Sequence, residues 1–266
     1  MIKNLYADIR LYLVSAWYSY RALYAWQKFV PYISVKLAFP LAQMLLFLFM
    51  GRLAGLKDPL YIVIGNILLL PATNGVTGVS MTISGERDFK TLPYLIASPA
   101  SRAPLFLGRA LVHILDGLFS TLAALALGVI FFHVDLSHAN LGLTGLCILL
   151  LSVTSCGMGL ILGSLSLRTR EAWTITSMVS IALYILSGVN FPVALLPKAL
   201  QAISYSLPLT RGIAAARLTL NGADWFGVAS LVIGELLVGL IYMLAGYFLF
   251  TWFEKRSLVD GQIETV

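Results

Sequence analysis

Few side chains here are of the kinds that do chemistry, and their spacing limits what they could do. Of the three histidines, His133 and His138 share a short segment with Asp135. Two imidazoles and one carboxylate could begin a metal site, but no fourth ligand accompanies them, so they read as a solvated loop and no metal is assigned. Two other carboxylates, Asp116 and Glu235, stand inside long apolar runs. A charge in such a place costs at least ~2.5 kcal/mol if the run crosses a bilayer, so each needs a partner or a proton. Arg109 and His113 precede Asp116 by seven and three residues on the same helical face, which predicts an Arg109, His113, Asp116 cluster of structural kind, with a proton relay as the alternative. Glu235 has no partner that the sequence names. No GxSxG, HExxH or CxxC pattern occurs, which disfavours a hydrolase or redox enzyme.

The densest charge lies in "SGERDFKTLPYLIASPASRAP", Ser84 to Pro104, where Glu86, Arg87, Asp88 and Lys90 fall within five residues of a chain only 11% charged. Glu86 and Lys90 stand at i, i+4, while Phe89, Leu92, Leu95 and Ile96 gather on another side. This predicts a short amphipathic helix that Pro99 stops, after which Ser101 can cap the next helix with Pro104 in its first turn. Such a helix suits docking into a groove on another protein. An interfacial helix that merely turns the chain would use the same pattern.

The elements that must position these residues are membrane spans. The 266 residues are 59% hydrophobic with a mean hydropathy of +0.88, well above a soluble domain. Runs of ~20 apolar residues suffice for one crossing. Six runs qualify: Leu37 to Leu56, Pro59 to Ser84, Ala103 to Phe132, Leu141 to Leu167, Ala172 to Pro197 and Trp225 to Phe253. They leave no room for a separate soluble domain, so residues 1–266 read as one all-α membrane domain. Cys147 and Cys156, nine residues apart on one run, lie on opposite helical faces and cannot bridge.

Residues 1–30 read as an interfacial helix, not a cleavable signal peptide, because charges recur through them. Lys3, Arg10, Arg21 and Lys28 fall in a strip about 20° wide, with Leu5, Ile9, Tyr12, Ala16, Tyr20 and Leu23 on another face. A helix packed on protein would use the same apolar stripe. With both termini cytoplasmic, 13 of the 18 lysines and arginines lie inside, which sets the orientation and assigns the net charge of +6 to topology and anionic lipid. No basic, aromatic surface for nucleic acid is present.

Two runs carry polar strips. Asn66, Thr73, Thr77, Ser80 and Ser84 fall within about 60° on the second, and Ser177, Ser180, Tyr184 and Ser187 form a strip on the fifth. They could line a pathway for an amphiphilic substrate or bond helix to helix. Gly159 and Gly163 form a GxxxG of the close-packing type. Residues 190–224, broken by Pro192, Pro197 and Pro208 yet apolar, predict short outer helices that dip back into the membrane, or else an amphipathic outer loop.

The segment "ERDFKTLPYLIASPASRAPLFLGR", Glu86 to Arg109, resembles the ABC-2 type permeases of bacterial ABC exporters, whose first cytoplasmic loop carries a "TLxxLxxSPxSR"-like segment. "LGSLSLRTRE" (Leu162 to Glu171) and "GVNFPVALLPKALQAISYSLPLTRGIAAARL" (Gly188 to Leu218) are similar to later parts of that family. Pro93 departs from it, standing where members often have Glu. The resemblance implies a coupling loop over residues 84–102, seated on a separate ATPase subunit. Glu86, Arg87, Phe89, Lys90, Leu92 and Leu95 become its candidate contacts, with Arg168, Arg170 and Glu171 in the second cytoplasmic loop. No Gly-Lys dipeptide occurs, so the chain has no P-loop. It is not itself an enzyme on this reading and holds no cofactor. ATP and magnesium are expected in two copies of a soluble partner. A second copy of the chain or a related permease completes the complex, in a bacterial plasma membrane. The implied activity is export of a lipophilic or amphiphilic small molecule by alternating access. Glycolipid or polysaccharide export is the alternative, and an ion-coupled secondary transporter the more distant one.

Overall fold

A computed structural model describes residues 2–24, 29–53, 55, 60–91, 93–94, 102–166, 169 and 171–260. The described residues form helices and connections, with no strand among them. Helix α1 (Ile2–Tyr24) is followed by α2 (Phe29–Leu53) and α3 (Leu60–Thr73), which passes through a π-helical turn (Asn74–Gly78) into α4 (Val79–Asp88). Then come α5 (Arg102–Phe132), α6 (Leu141–Ser166) and α7 (Ala172–Leu186), a 3₁₀ turn (Val193–Leu195), α8 (Lys198–Ser206), α9 (Thr210–Leu220) and α10 (Trp225–Asp260).

Five stretches among the described residues are helical, long and apolar enough to cross a membrane: Pro31–Leu53, Leu60–Asp88, Leu107–Phe132, Leu141–Ser166 and Trp225–Phe253. Two departures from the expected runs have physical causes. The first helix begins well before Leu37, and Lys36 lies inside it because a carboxylate on α5 meets its ammonium group. The fifth run ends as a helix at Leu186, since Gly188 turns with φ 75° and Pro192 cannot continue it. Its 15 residues reach about 22 Å, short of the ~30 Å apolar core of a bilayer.

Helix α6 and the α3–α4 stretch form the centre: 67% of each is buried, against 22% for the apolar part of α10. Small residues make this possible. A Cβ on Gly159 would stand 2.6 Å from the Gly75 carbonyl oxygen and 2.8 Å from that of Val76, so α6 lies directly on the π turn. On its other side α6 runs parallel to α10. Thr154 meets Glu235 and, ten residues on, the Ser164 hydroxyl reaches the Gly246 carbonyl at 3.4 Å. The chain must therefore turn back between them, and α7 does so antiparallel to α3–α4, with Ser80 on Thr176 and Asn66 on Tyr184. Helix α1 packs against α5, its Tyr12 carbonyl beside Gly108 and Ser15 buried. Trp17, Tyr18, Arg10 and Arg21 stay on its exposed side.

Close packing at Gly159 is testable. Gly159→Ala forces backbone carbonyls apart and should cost about 1–3 kcal/mol. Gly145→Ala, with nothing within 4 Å, should leave stability unchanged or slightly raised. Thermal unfolding midpoints of the two variants in detergent compare them directly.

Candidate functional site

The charged stretch is built on the end of α4. The expected helix does not start at Glu86: Glu86, Arg87 and Asp88 complete α4, Phe89 caps it, and Lys90 turns left-handed with φ 57°, while Pro93 and Tyr94 are helical again and the rest of the expected helix, with Leu95 and Ile96, lies outside the described residues. The expected Glu86–Lys90 pair is replaced because the Glu86 carboxylate accepts from the Thr91 hydroxyl and pairs with Arg109 on α5. Arg87 also turns inward. Its Nη1 donates to the carbonyls of Ser166 and Thr169, both at 2.8 Å, which satisfies the C-terminal end of α6. Side chains of α4 thus tie its end to α5 and α6, while Phe89 and Tyr94 are 81% and 80% exposed beside exposed Asp88 and Lys90. Glu171 is exposed at the start of α7 and accepts from Thr174 at 3.0 Å. Leu92, Leu95, Arg168 and Arg170 lie outside the described residues.

The expected Arg109, His113, Asp116 cluster is divided among three separate partners. Arg109 goes to Glu86. The ring of buried His113 lies against Gly78, and its Nε2 is 2.7 Å from the Thr82 hydroxyl. Asp116 is met from α2, by the Lys36 ammonium at 2.5 Å and the Tyr32 hydroxyl at 2.5 Å, and Lys36 reaches Asn74 in the π turn at 3.3 Å. A nearer opposite charge from another helix wins over a residue on the same helix, because Arg109 and Asp116 are about 10 Å apart along the axis. Sequence reading missed Lys36 and Tyr32 as partners, although their i, i+4 spacing at the start of an apolar run was the available signal.

Glu235 is fully buried and does have partners. Its Oε1 accepts from Thr154 at 2.9 Å and from the Leu209 N–H at 2.7 Å, and its Oε2 accepts from the Gly212 N–H at 3.0 Å. The last two open α9, so a carboxylate sits on the positive end of that helix. Leu209 itself turns with φ 115°, a strained conformation for a residue with a side chain. No sequence signal joins positions 26 residues apart across two helices.

The polar strips meet each other. Asn66 accepts from Tyr184 at 2.9 Å and Gln43 at 3.1 Å and reaches Asn190 at 3.3 Å, and Ser80 meets Thr176 at 2.8 Å. Ser187 is buried and bonds back to Leu183, while Thr77, Ser177 and Ser180 are half-buried. Thr73 is exposed and bonds back to the Leu69 carbonyl at 3.1 Å, and the π turn after it shifts the phase of Thr77, Ser80 and Ser84 from that of simple counting. Nearer the ends of these helices, Arg217 donates to the carbonyls of Tyr61 at 2.6 Å and Val189 at 2.7 Å, with its guanidinium 3.5 Å from the Tyr61 ring centre. It lines a cleft of about 460 Å³ between α3, the turn after α7, and α9. His133, Asp135 and His138 are exposed, and the Ser137 N–H holds the Asp135 carboxyl below its usual range. No group of His, Cys, Asp or Glu among the described residues could hold a metal.

The family profile of the ABC-2 type transporters matches residues 19–221, a region that contains the α4 end, the polar strips and the α8–α9 segment. The chain belongs to the ABC-2 type transporter family. Two curated relatives from strains of Escherichia coli, each described as "Probable multidrug ABC transporter permease YbhR", are 25% identical to this ABC-2 permease over 153 residues. The match covers 57% of this chain and 41% of each relative, so the chain spans about two-fifths of the length of the curated relatives it matches. The sequence resemblance to ABC-2 permeases therefore stands, and it rests on more of the chain than the charged stretch alone.

Two pairs can be tested in the purified ABC-2 permease. Reversing Glu86 or Arg109 alone should destabilise the fold, and the double exchange Glu86→Arg with Arg109→Glu should restore it, with a coupling of about 1 kcal/mol. Glu235→Gln presents an amide donor to backbone donors and should cost about 1–3 kcal/mol, with Thr154→Ala costing less. Unfolding midpoints of the single and double variants measure both.

Proposed function

We propose that the chain is the transmembrane subunit of an ATP-driven exporter that moves a lipophilic or amphiphilic small molecule out of the cytoplasm or inner leaflet. Two copies of a soluble P-loop ATPase would supply the force, and two permease chains would rock to alternate access. The observation that carries this reading is the α4 end: two nearly bare aromatic rings, Phe89 and Tyr94, beside a charged turn that Glu86 and Arg87 anchor to α5 and α6. Exposed aromatics on a rigidly held support are what a docking surface requires. Asp88, Lys90 and Glu171 stand as further contacts, and Glu86 and Arg87 act as anchors for that surface. Leu92, Leu95, Arg168 and Arg170 keep their expected contact role by resemblance. The relatives' multidrug description supports a small-molecule cargo, with glycolipid or polysaccharide export as the alternative. ATP and magnesium belong to the partner on this reading.

In this arrangement the chain crosses a bacterial plasma membrane six times with both termini cytoplasmic. The parallel course of α6 and α10 supports the sixth crossing, made by α7 and the turn that follows. The α8–α9 hairpin re-enters from outside, its turn lying beside Glu235, about 15 Å along α10 from Trp225. Helix α1 lies in the cytoplasmic interface with its exposed aromatic and basic side toward lipid. Asn66, Tyr184 and the half-buried Thr77, Ser177 and Ser180 border the pathway, with Ser80 holding α4 to α7 around it and Ser187 at the end of α7. An ion-coupled mechanism would have to use Asp116 or Glu235, whose oxygens are already engaged by protein donors.

Reconstitution with a soluble P-loop ATPase subunit that co-purifies with it gives the test. Phe89→Ala with Tyr94→Ala should lower ATPase binding and ATP-driven efflux roughly tenfold while the unfolding midpoint holds. Uphill transport by the chain alone under an ion gradient, abolished by Asp116→Asn, would overturn the proposal.

A further inference from the structure

A second cleft, of about 570 Å³, opens on the outer side of the bundle between the α8–α9 hairpin and α10. Its walls are Ile161, Tyr205, Val238, Ile241 and Tyr242, and one charged side chain, Arg211, enters it. The volume is that of an ordinary small-molecule site, mostly apolar with a single orienting group. Ile241 is 64% exposed, as are neighbouring Leu240 and Leu244 at about half, so the cleft is reached from the apolar surface and not from the polar interior around Asn66.

Arg211 is held there by design of its surroundings. Its stem lies across Gly234, where a Cβ would come within 2.7 Å of its Cδ, and its guanidinium donates to the Tyr205 carbonyl and stands 5.6 Å from that ring's centre. Among the described residues that is its one hydrogen bond, and no carboxylate lies within the 4.0 Å of an ion pair. Glu235, next along the helix, gives its oxygens to Thr154, Leu209 and Gly212 instead. A guanidinium always carries its charge and has five donors, more than the Tyr205 carbonyl uses.

We propose that this cleft binds a single-chain anionic amphiphile, an acidic group on an alkyl chain, with the acid on Arg211 and the chain along α10 past Ile241. This rests on the six-crossing reading, which puts Gly234 about 14 Å along α10 from Trp225, well inside the hydrocarbon layer. Phosphates of bilayer lipids stay at the interface, outside that layer. An acid that is free of a glycerol headgroup can follow its chain down to the arginine and pair with it, which lowers the cost of both charges in hydrocarbon. The proposal names the class of amphiphile the exporter accepts or is controlled by.

The experiment uses the full chain in nanodiscs of zwitterionic lipid, with no ATPase or nucleotide. Spin-labelled octadecanoic acid, the matching octadecanol and spin-labelled phosphatidylglycerol are titrated, and the motionally restricted fraction is read. The acid should bind saturably and about tenfold more tightly than the alcohol, the scale of one charge-assisted contact. Arg211→Gln should erase that preference and Arg211→Lys keep part of it. Ile241→Trp fills the cleft from its exposed wall without touching Arg211 and should weaken acid and alcohol alike, which keeps the test valid if Arg211→Gln fails to fold. Equal binding of acid and alcohol, an unchanged preference in Arg211→Gln, intact binding in Ile241→Trp, or phosphatidylglycerol binding as tightly as the acid would each overturn it. Because nothing is transported, a failed export assay leaves this result standing, and failure here leaves ATP-driven export of another cargo intact.

Discussion

Backbone N–H groups at a helix start must find acceptors, and inside a membrane protein water cannot supply them. The α8–α9 hairpin meets this constraint at the carboxylate of Glu235, which accepts from Leu209 and Gly212 while Thr154 secures it from α6. One side chain thereby joins three elements and holds Leu209 at a φ that its side chain resists. Much of this end of the bundle depends on that junction. Arg217, two turns along α9, reaches the ends of α3 and α7, and Arg211, one step from the junction, enters the cleft along α10.

The centre of the bundle is organised by close approach. Helix α6 can lie on the π turn because Gly159 and Gly75 present backbone to backbone, and van der Waals contact of this kind is the main attraction between helices in lipid. The π turn in return places Asn74 toward Lys36 and lets Gly78 receive the His113 ring. The chain continues through it as helix to Asp88, so a displacement at the α4 tip would be delivered to the centre of the bundle through one rigid element. Glu86 and Arg87 tie the same tip sideways to α5 and α6.

Two ion pairs among the described residues each join two helices. Lys36 on α2 meets Asp116 on α5, and Arg109 on α5 meets Glu86 on α4. Each pair stitches neighbouring spans where hydrophobic attraction between helices is weak. The two pairs stand at different heights on α5, seven residues apart, so they resist tilting of that helix as well as its separation.

The sequence by itself determined the class and course of the protein. Runs of apolar residues are long-range averages over ~20 positions, so five of the six expected spans and their order were legible, as was the family from Glu86 to Arg109 and beyond. The unusual density of charge at Glu86 to Lys90 marked where the helical centre reaches polar surroundings. Partner choice was not legible, since it depends on which helices become neighbours. Asp116 took Lys36 and not Arg109, Glu86 took Arg109 and not Lys90, and Glu235 met a backbone that no periodicity points to. The π turn also escaped counting, because a helix gains an extra residue per turn only when neighbours such as α6 repay the distortion by packing against it. Composition decides which segments must leave water; only their assembly decides which polar groups will then face each other.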